Sequence, residues 1–345
     1  MQTEAAVLFE LNEPLRHVTL EVPELRPGQV LVEVAYSGVC HSQLHEIRGR
    51  RGPDRFLPHT LGHEGSGVVR AIGRGVEKVR PGDHVVLTWI KGRGRDVPST
   101  TYRARATTIN SGALCTFMRH TVTCENRLVP IARDMPLREA ALLGCALPTG
   151  AGVVLNTAAV SRGASLAVFG VGGIGLCALL AAKLLESHPL VAVDVVEQKL
   201  VEAKRLGATH VVNARQRDPV AAIRELTQGR GVDYAIEAAG RRETMEAAFR
   251  SVRDQGGLCV LAGNLPQGET IAIDPFDLIR GKRIVGTWGG ETRPDDDIPR
   301  YVRWFHEGRL PLAELITREY RLDQINEALD DMEQGRVLRA LVTMS

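Results

Sequence analysis

Residues 165–199 read SLAVFGVGGIGLCALLAAKLLESHPLVAVDVVEQK, and the way this stretch is punctuated decides the fold. SLAVF is a short apolar run, as expected of a strand buried on both faces. Gly170-Val171-Gly172-Gly173-Ile174-Gly175 follows it and opens an apolar helical segment, after which LVAVDVV reads as a second buried strand. Strand, glycine turn, helix and strand make the βαβ unit of a parallel, doubly wound sheet. In that setting the glycines divide the work: the first makes the tight turn, the second lets a pyrophosphate approach the backbone, and the third lets helix pack on strand. The helix start offers phosphate free amides and a partial positive charge. Asp194 ends the second strand, 19 residues past Gly175, where a carboxylate accepts from both ribose hydroxyls and repels a 2′-phosphate. The stretch therefore predicts a dinucleotide site that favours NAD over NADP. It is built from Gly170, Gly172, Gly173, Ile174, Gly175 and Asp194, with Lys199 reaching the same ribose. Taken alone, an acid at a strand end is as readily a cap for the next helix.

Toward the C-terminus the alternation continues through THVVN, VAAIRELTQ, VDYAIEAAG, ETMEAAFRSV, GGLCVLAG and RIVGTWGG. From about Glu291 come two helix-like runs, IPRYVRWFHEG and LDQINEALDDMEQG, and then the strand RALVTM, which is placed to close back onto the first domain. Toward the N-terminus, DMPLREAALLGCALPTGAGVVLNTA has helical periodicity interrupted at Pro148. Before about Val86 the chain consists of β-branched runs and Pro-Gly turns, which reads as an all-β module. Lys91 to Gly112 has little apolar periodicity and reads as a long solvated loop. Two domains follow: residues 1–146 plus 291–345, and a doubly wound α/β domain over residues 147–290.

The length, 345 residues, exceeds one ordinary core, and 44% hydrophobic with 24% charged residues is a soluble globular composition. A net charge of +2 gives no reason to expect nucleic acid or an anionic membrane as partner. No segment resembles a signal peptide or reaches transmembrane length. Six cysteines at wide spacings do not form a secreted disulfide framework, so the expectation is a cytoplasmic protein acting on small molecules. Arg50, Arg51 and Arg55 read as exposed loop charge.

Cys40 follows the strand VLVEVAYSGV, His63-Glu64 sits in LGHEG, and Cys145 sits in LLGCALPTG. Singly, such a cysteine is ordinarily a small apolar residue and such a histidine a hydrogen-bonded structural one. Together they match a catalytic zinc, which takes three protein ligands and keeps one position open.

In order along nearly the whole chain, GVCHSQLH, LGHEGSGVV, the GC followed by PTG at 144–150, GVGGIG, VDVVEQK and VLRALVTM resemble the zinc-dependent alcohol dehydrogenases of the medium-chain dehydrogenase/reductase superfamily. The resemblance implies an N-terminal GroES-like, β-rich catalytic domain beside a Rossmann cofactor domain, with NAD(H) and one catalytic Zn²⁺ per chain. Cys40, His63 and Cys145 would hold the metal, the Cys₂His set for which alcohol dehydrogenase is the standing example. It further implies Glu64 as a transient ligand or field-setting carboxylate, Ser42 and His45 as a proton relay, His41 and Arg339 at the pyrophosphate, Thr149 near the nicotinamide and Trp89 in the substrate channel. An alcohol or the matching carbonyl would be the substrate, and a homodimer or homotetramer would pair through Ile284 to Gly290.

Two departures stand out. Many relatives carry a second, structural zinc on four closely spaced cysteines; here Lys91 to Cys124 holds only Cys115 and Cys124. Gln43 stands where many have an acid that orients the ligand histidine, so its hold on that ring carries no charge. Two alternatives are a zinc-free NAD(P)H enone or quinone reductase of the same superfamily and a non-catalytic NAD-binding sensor or scaffold. The three metal-ligating residues speak against the first and the relay residues against the second.

Overall fold

Six parallel strands form one sheet in the order His210–Asn213, Leu190–Asp194, Leu166–Phe169, Tyr234–Glu237, Leu258–Leu261, Arg283–Gly286. The order reverses beside Leu166–Phe169, the strand that runs into the glycine turn, and ligands of such sheets bind at that switch point. The computed structural model describes residues 1–344 and divides them into two units, residues 146–292 around this sheet, and residues 1–145 together with the chain from Arg293 onward. Val191, Val193, Val212, Ile223 and Phe249 fill one side of the sheet, which is why its strands are almost continuously apolar.

The other unit combines a closed barrel with a seven-stranded sheet. In the sheet, Gln29–Gly38 lies between Glu64–Ile72 and the C-terminal strand Arg339–Thr343. The last strand of the chain is thus interior to a sheet begun near its start.

The structure corrects the sequence expectation in three places. The N-terminal module is not all β: His41–Ile47 is a helix. Its Leu44 and Ile47, three residues apart, share a face and are buried against Tyr320 and Leu329. Each such side chain contributes about 1.5–3 kcal/mol on burial. Second, the stretch 91–112 is not loop throughout. Thr101–Ala104 and Thr107–Asn110 form a hairpin that belongs to the barrel, turning at Arg105 with a positive φ of 53°. Its two large apolar residues, Tyr102 and Ile109, are cross-strand partners and both fully buried, too few to give a periodic signal. Third, the break in the region of Pro148 falls at Cys145, between Ala141–Gly144 and the helix Ala146–Gly152. Pro148 is tolerated because it lies in a first turn, where its missing N–H has no helical acceptor. Among the described residues no single helix is long and apolar enough to cross a membrane.

Candidate active site

Register brings the metal-ligating residues together. Glu64–Ile72 pairs antiparallel with Gln29–Gly38, Ser37 opposite Gly65, so Glu64 and the preceding His63 lie beside the strand end that leads into Cys40. Cys40 is the N-cap of the helix His41–Ile47. Cys145 arrives from the break after Gly144, and the close approach there demands glycine: a Cβ on Gly144 would stand 2.3 Å from the Leu87 carbonyl and 2.9 Å from Glu64 Cα. Ligand atoms of Cys40, His63, Glu64 and Cys145 all lie within 4.8 Å of one another.

The two sulfurs are hydrogen-bonded to each other. Cys40 is held well below the usual thiol range, chiefly by a hydrogen bond from Cys145, against the opposing effect of burial. Cys145 is pushed well above it by the same bond, by burial and by Glu64. Burial works against a charge on His63, yet its contacts with Cys40 and the nearby Glu64 outweigh that and raise its pKa. Sulfur, imidazole and carboxylate crowded in this way make a cation site. Two thiolates and an imidazole are the donors zinc takes when a fourth position stays open, so the residues fit the metal.

The surroundings orient these ligands. Gln43 Oε1 accepts the Cys40 N–H at 3.1 Å, and its amide nitrogen meets His63 Nδ1. Nδ1 is thereby occupied, which leaves Nε2 for the cysteines. Ser42 Oγ lies 3.4 Å from the same Nδ1. The Trp89 ring stands edge-on to His63 with centroids 6.4 Å apart, and the Arg127 guanidinium donates to the Trp89 carbonyl. His45, one turn past Ser42, is half-buried; burial and the charges of Arg50 and Arg51 lower its pKa. His41 opens the helix and is exposed.

Arg339, expected at a cofactor phosphate, donates to the Glu64 carboxylate. Both are sealed from solvent, at 5% and 0% exposure. Burial disfavours the guanidinium's charge, but Glu64, Cys40 and Cys145 more than restore it. Sequence reading missed this pair, because nothing local links residues 275 positions apart.

In the other unit the glycine turn has the predicted shape. Gly170 has a φ of +84°, and a Cβ on Gly175 would fall 1.9 Å from the Gly170 carbonyl. A Cβ on Gly172 would meet nothing within 4 Å, so that face of the turn is open to a phosphate ahead of the helix Gly173–Leu184. Asp194 does more than the sequence implied. Its carboxylate accepts the N–H of Val171 at 2.9 Å and those of Val195 and Val196 at 2.7 and 3.0 Å, which fastens the glycine turn to the end of the next strand. Lys199 lies on the following helix, Glu197–Leu206. The Thr149 hydroxyl is buried and has no hydrogen-bond partner among the described residues. Glu237, unnoticed in the sequence, is buried at the end of Tyr234–Glu237 and accepts the amides of Ala239 and Gly240 and the Thr244 hydroxyl; burial raises its pKa.

Residues 26–133 match the alcohol dehydrogenase GroES-like domain family, and residues 173–307 match the zinc-binding dehydrogenase family. An S-(hydroxymethyl)glutathione dehydrogenase of Synechocystis sp. is 32% identical over 368 residues, covering 99% of this chain and 100% of its own length. An alcohol dehydrogenase class-3 of Cereibacter sphaeroides is 32% identical over 375 residues, covering 99% and 100%. Among solved structures, benzyl alcohol dehydrogenase from Acinetobacter calcoaceticus superposes with a TM-score of 0.92 at 32% identity, covering all of both chains. With its family domains matched, its relatives aligned end to end and its cysteine–histidine cluster in place, this chain belongs to the zinc-dependent alcohol dehydrogenases of the medium-chain dehydrogenase/reductase superfamily, oxidoreductases that work with NAD(H).

Proposed function

We propose that Cys40, His63 and Cys145 form the chemical centre at which this enzyme moves a hydride between an alcohol and NAD(H), or back to the matching aldehyde or ketone, with Ser42 and His45 as its proton path. The observation that carries the reading is the convergence of two sulfurs and an imidazole beside the hydroxyl and second imidazole of one short helix. Zinc held by these ligands supplies Lewis acidity at the substrate oxygen, without which a hydroxyl is far too weak an acid at neutral pH. NAD(H) supplies the hydride acceptor or donor.

The remaining work falls to the chain. Ser42 and His45 are three residues apart and share a helix face, so the hydroxyl takes the alcohol's proton and hands it to the ring. His45 suits that role because its lowered pKa keeps it neutral and able to accept. Trp89 limits substrate bulk beside His63, and the charge of Glu64, matched by Arg339, sets the field behind the ligands. Gly172 and the start of Gly173–Leu184 receive the pyrophosphate, Ile174 lines that first turn, Asp194 and Lys199 take the adenosine ribose, and the orphaned Thr149 hydroxyl serves the nicotinamide. A second copy of this chain pairs along Arg283–Gly286, the terminal strand of its sheet, beside Trp288 and Ile279, which are 79% and 75% exposed. Six buried cysteines with no disulfide among them support a reducing cytoplasmic setting.

The test is metal analysis of purified protein, titration with NADH and NADPH, and turnover of benzyl alcohol and S-(hydroxymethyl)glutathione as first substrates. The expected result is a Cys145-dependent zinc, NADH preference, and a loss of that preference in Asp194→Gly. Full turnover by metal-free protein would overturn the mechanism, and an unchanged NADH to NADPH ratio in Asp194→Gly would remove Asp194 from the ribose.

A further inference from the structure

We infer that Glu237 is a positioning residue for the nicotinamide half of the cofactor, its carboxylate and carbonyl joining the two loops, residues 238–241 and 262–264, over which that half must lie. This role rests on the proposed hold of Asp194 on the adenosine ribose.

Sheet order sets the place. Leu190–Asp194 flanks Leu166–Phe169 on one side, and Tyr234–Glu237 followed by Leu258–Leu261 lies on the other. A dinucleotide straddles such a switch point. With its adenosine at Asp194 and its pyrophosphate at the glycine turn, the second half extends over the C-terminal ends of Tyr234–Glu237 and Leu258–Leu261. Phe169, Glu237 and Leu261 are register partners and end these strands at one level.

Glu237 links the segments that follow. Its Oε1 accepts the N–H of Ala239 at 2.9 Å, that of Gly240 at 2.8 Å and the Thr244 hydroxyl at 2.6 Å. Its carbonyl accepts the N–H of Ala262 at 2.8 Å and that of Gly263 at 3.1 Å, while the Ala238 N–H reaches back to the Phe169 carbonyl at 2.8 Å. Little room remains between the loops. A Cβ on Gly263 would stand 2.3 Å from the Gly240 nitrogen and 2.6 Å from Glu237 Oε2, and one on Gly170 would stand 2.7 Å from the Ala239 nitrogen. The glycine turn, residues 238–241 and residues 262–264 thus form one backbone layer, in which a shift of any part is passed to the next.

A buried acid is a costly way to close a turn. Glu237 is fully buried, and its Oε2 is sealed with no hydrogen-bond partner among the described residues. Burial raises its pKa against the pull of the donors on Oε1. A loop that only has to turn is closed as well by a short, exposed Asp or Ser, and a half-satisfied buried group marks a place where function holds the geometry. Three donors on one oxygen also exceed its two lone pairs, a load that negative charge helps to bear. An amide oxygen bears it less well, and a methionine side chain offers no comparable acceptor.

The experiment measures NADH binding by fluorescence and AMP binding by calorimetry on zinc-loaded wild type, Glu237→Met, Glu237→Gln, Gly263→Ala and Asp194→Gly. AMP reads the adenosine half alone, so its binding also shows that the sheet and the glycine turn are folded. Glu237→Met should weaken NADH by about tenfold or more and leave AMP unchanged. Glu237→Gln should fall between it and wild type, and Gly263→Ala, which pushes the two loops apart, should give the same loss of NADH alone. Asp194→Gly should weaken both ligands. Wild-type NADH binding by Glu237→Met, or an equal loss of AMP and NADH in either loop variant, would overturn the role of Glu237. A loss confined to NADH in Asp194→Gly would overturn the place of Asp194 at the adenosine ribose, and the role of Glu237 with it.

Discussion

Gln43 has two neighbours to satisfy and one oxygen with which to do so. The Cys40 N–H needs an acceptor, and so does the His63 Nδ1–H once Nε2 holds a metal; a carboxylate accepts from both, whereas an amide must offer N–H₂ to one of them. We expect Gln43→Asp to slow zinc release to a chelator by about tenfold or more, and an equal release rate would show that the mismatch costs nothing. His45 gives a prediction in pH. Its lowered pKa, due to burial with Arg50 and Arg51, means that it loses its proton at lower pH than a free imidazole. The acid limb of alcohol oxidation, as kcat/KM, is therefore expected to lie correspondingly low. Replacing Arg51 with Gln removes a positive charge, raises the pKa and moves that limb to higher pH. The same change in a His45→Gln background should move nothing.

At the level of elements, the segment where many relatives place four cysteines is fastened here by one carboxylate. Glu125 is 2% exposed and accepts the N–H of Glu77, that of Lys78 at 2.7 Å and that of Arg95 at 3.0 Å. Burial alone would raise its pKa, but these amides bring it below the ordinary carboxylate value. Its stabilising effect is thus present above the unfolded-state pKa and lost as pH falls through the lower folded one. Glu125→Gln should cost about 1–3 kcal/mol in urea unfolding at neutral pH, with the difference from wild type shrinking in acid. The hairpin beside it, Thr101–Ala104 with Thr107–Asn110, shows where sequence patterning stops: its stability rests on two inward side chains, Tyr102 and Ile109, and on closing a barrel with strands far away in the chain. The glycine turn was legible because every part of it, strand, turn, helix and Asp194, lies within one short stretch. The metal cluster comes from three separated segments; residue type alone left each one ordinary, and they were joined by the ligand set a catalytic zinc takes together with the resemblance. Nothing in the sequence around Arg339 announces Glu64, since that contact depends on sheet register.

For the molecule as a whole, the terminal strand Arg283–Gly286 is paired on one side only and lies beside the exposed Ile279 and Trp288; a sheet edge of this kind is ordinarily covered or charged. The pairing proposed along that strand predicts that Val285→Lys leaves single chains where wild type pairs, as read by light scattering after size exclusion, with the zinc content per chain kept. An unchanged mass would place the interface elsewhere.

The interior position of Arg339–Thr343 in the seven-stranded sheet also has a consequence for the order in which the protein comes into being on the ribosome. Residues 146–292 form a contiguous unit and can fold while translation is still under way. The unit that carries Cys40, His63 and Cys145 must wait, its central sheet unfinished and Glu64 without the Arg339 guanidinium, until Arg339–Thr343 has been synthesised. A chain that stops short of Arg339 therefore has every metal-ligating residue and the whole cofactor fingerprint, but lacks the guanidinium that faces the buried Glu64 carboxylate beside the place where the metal should settle.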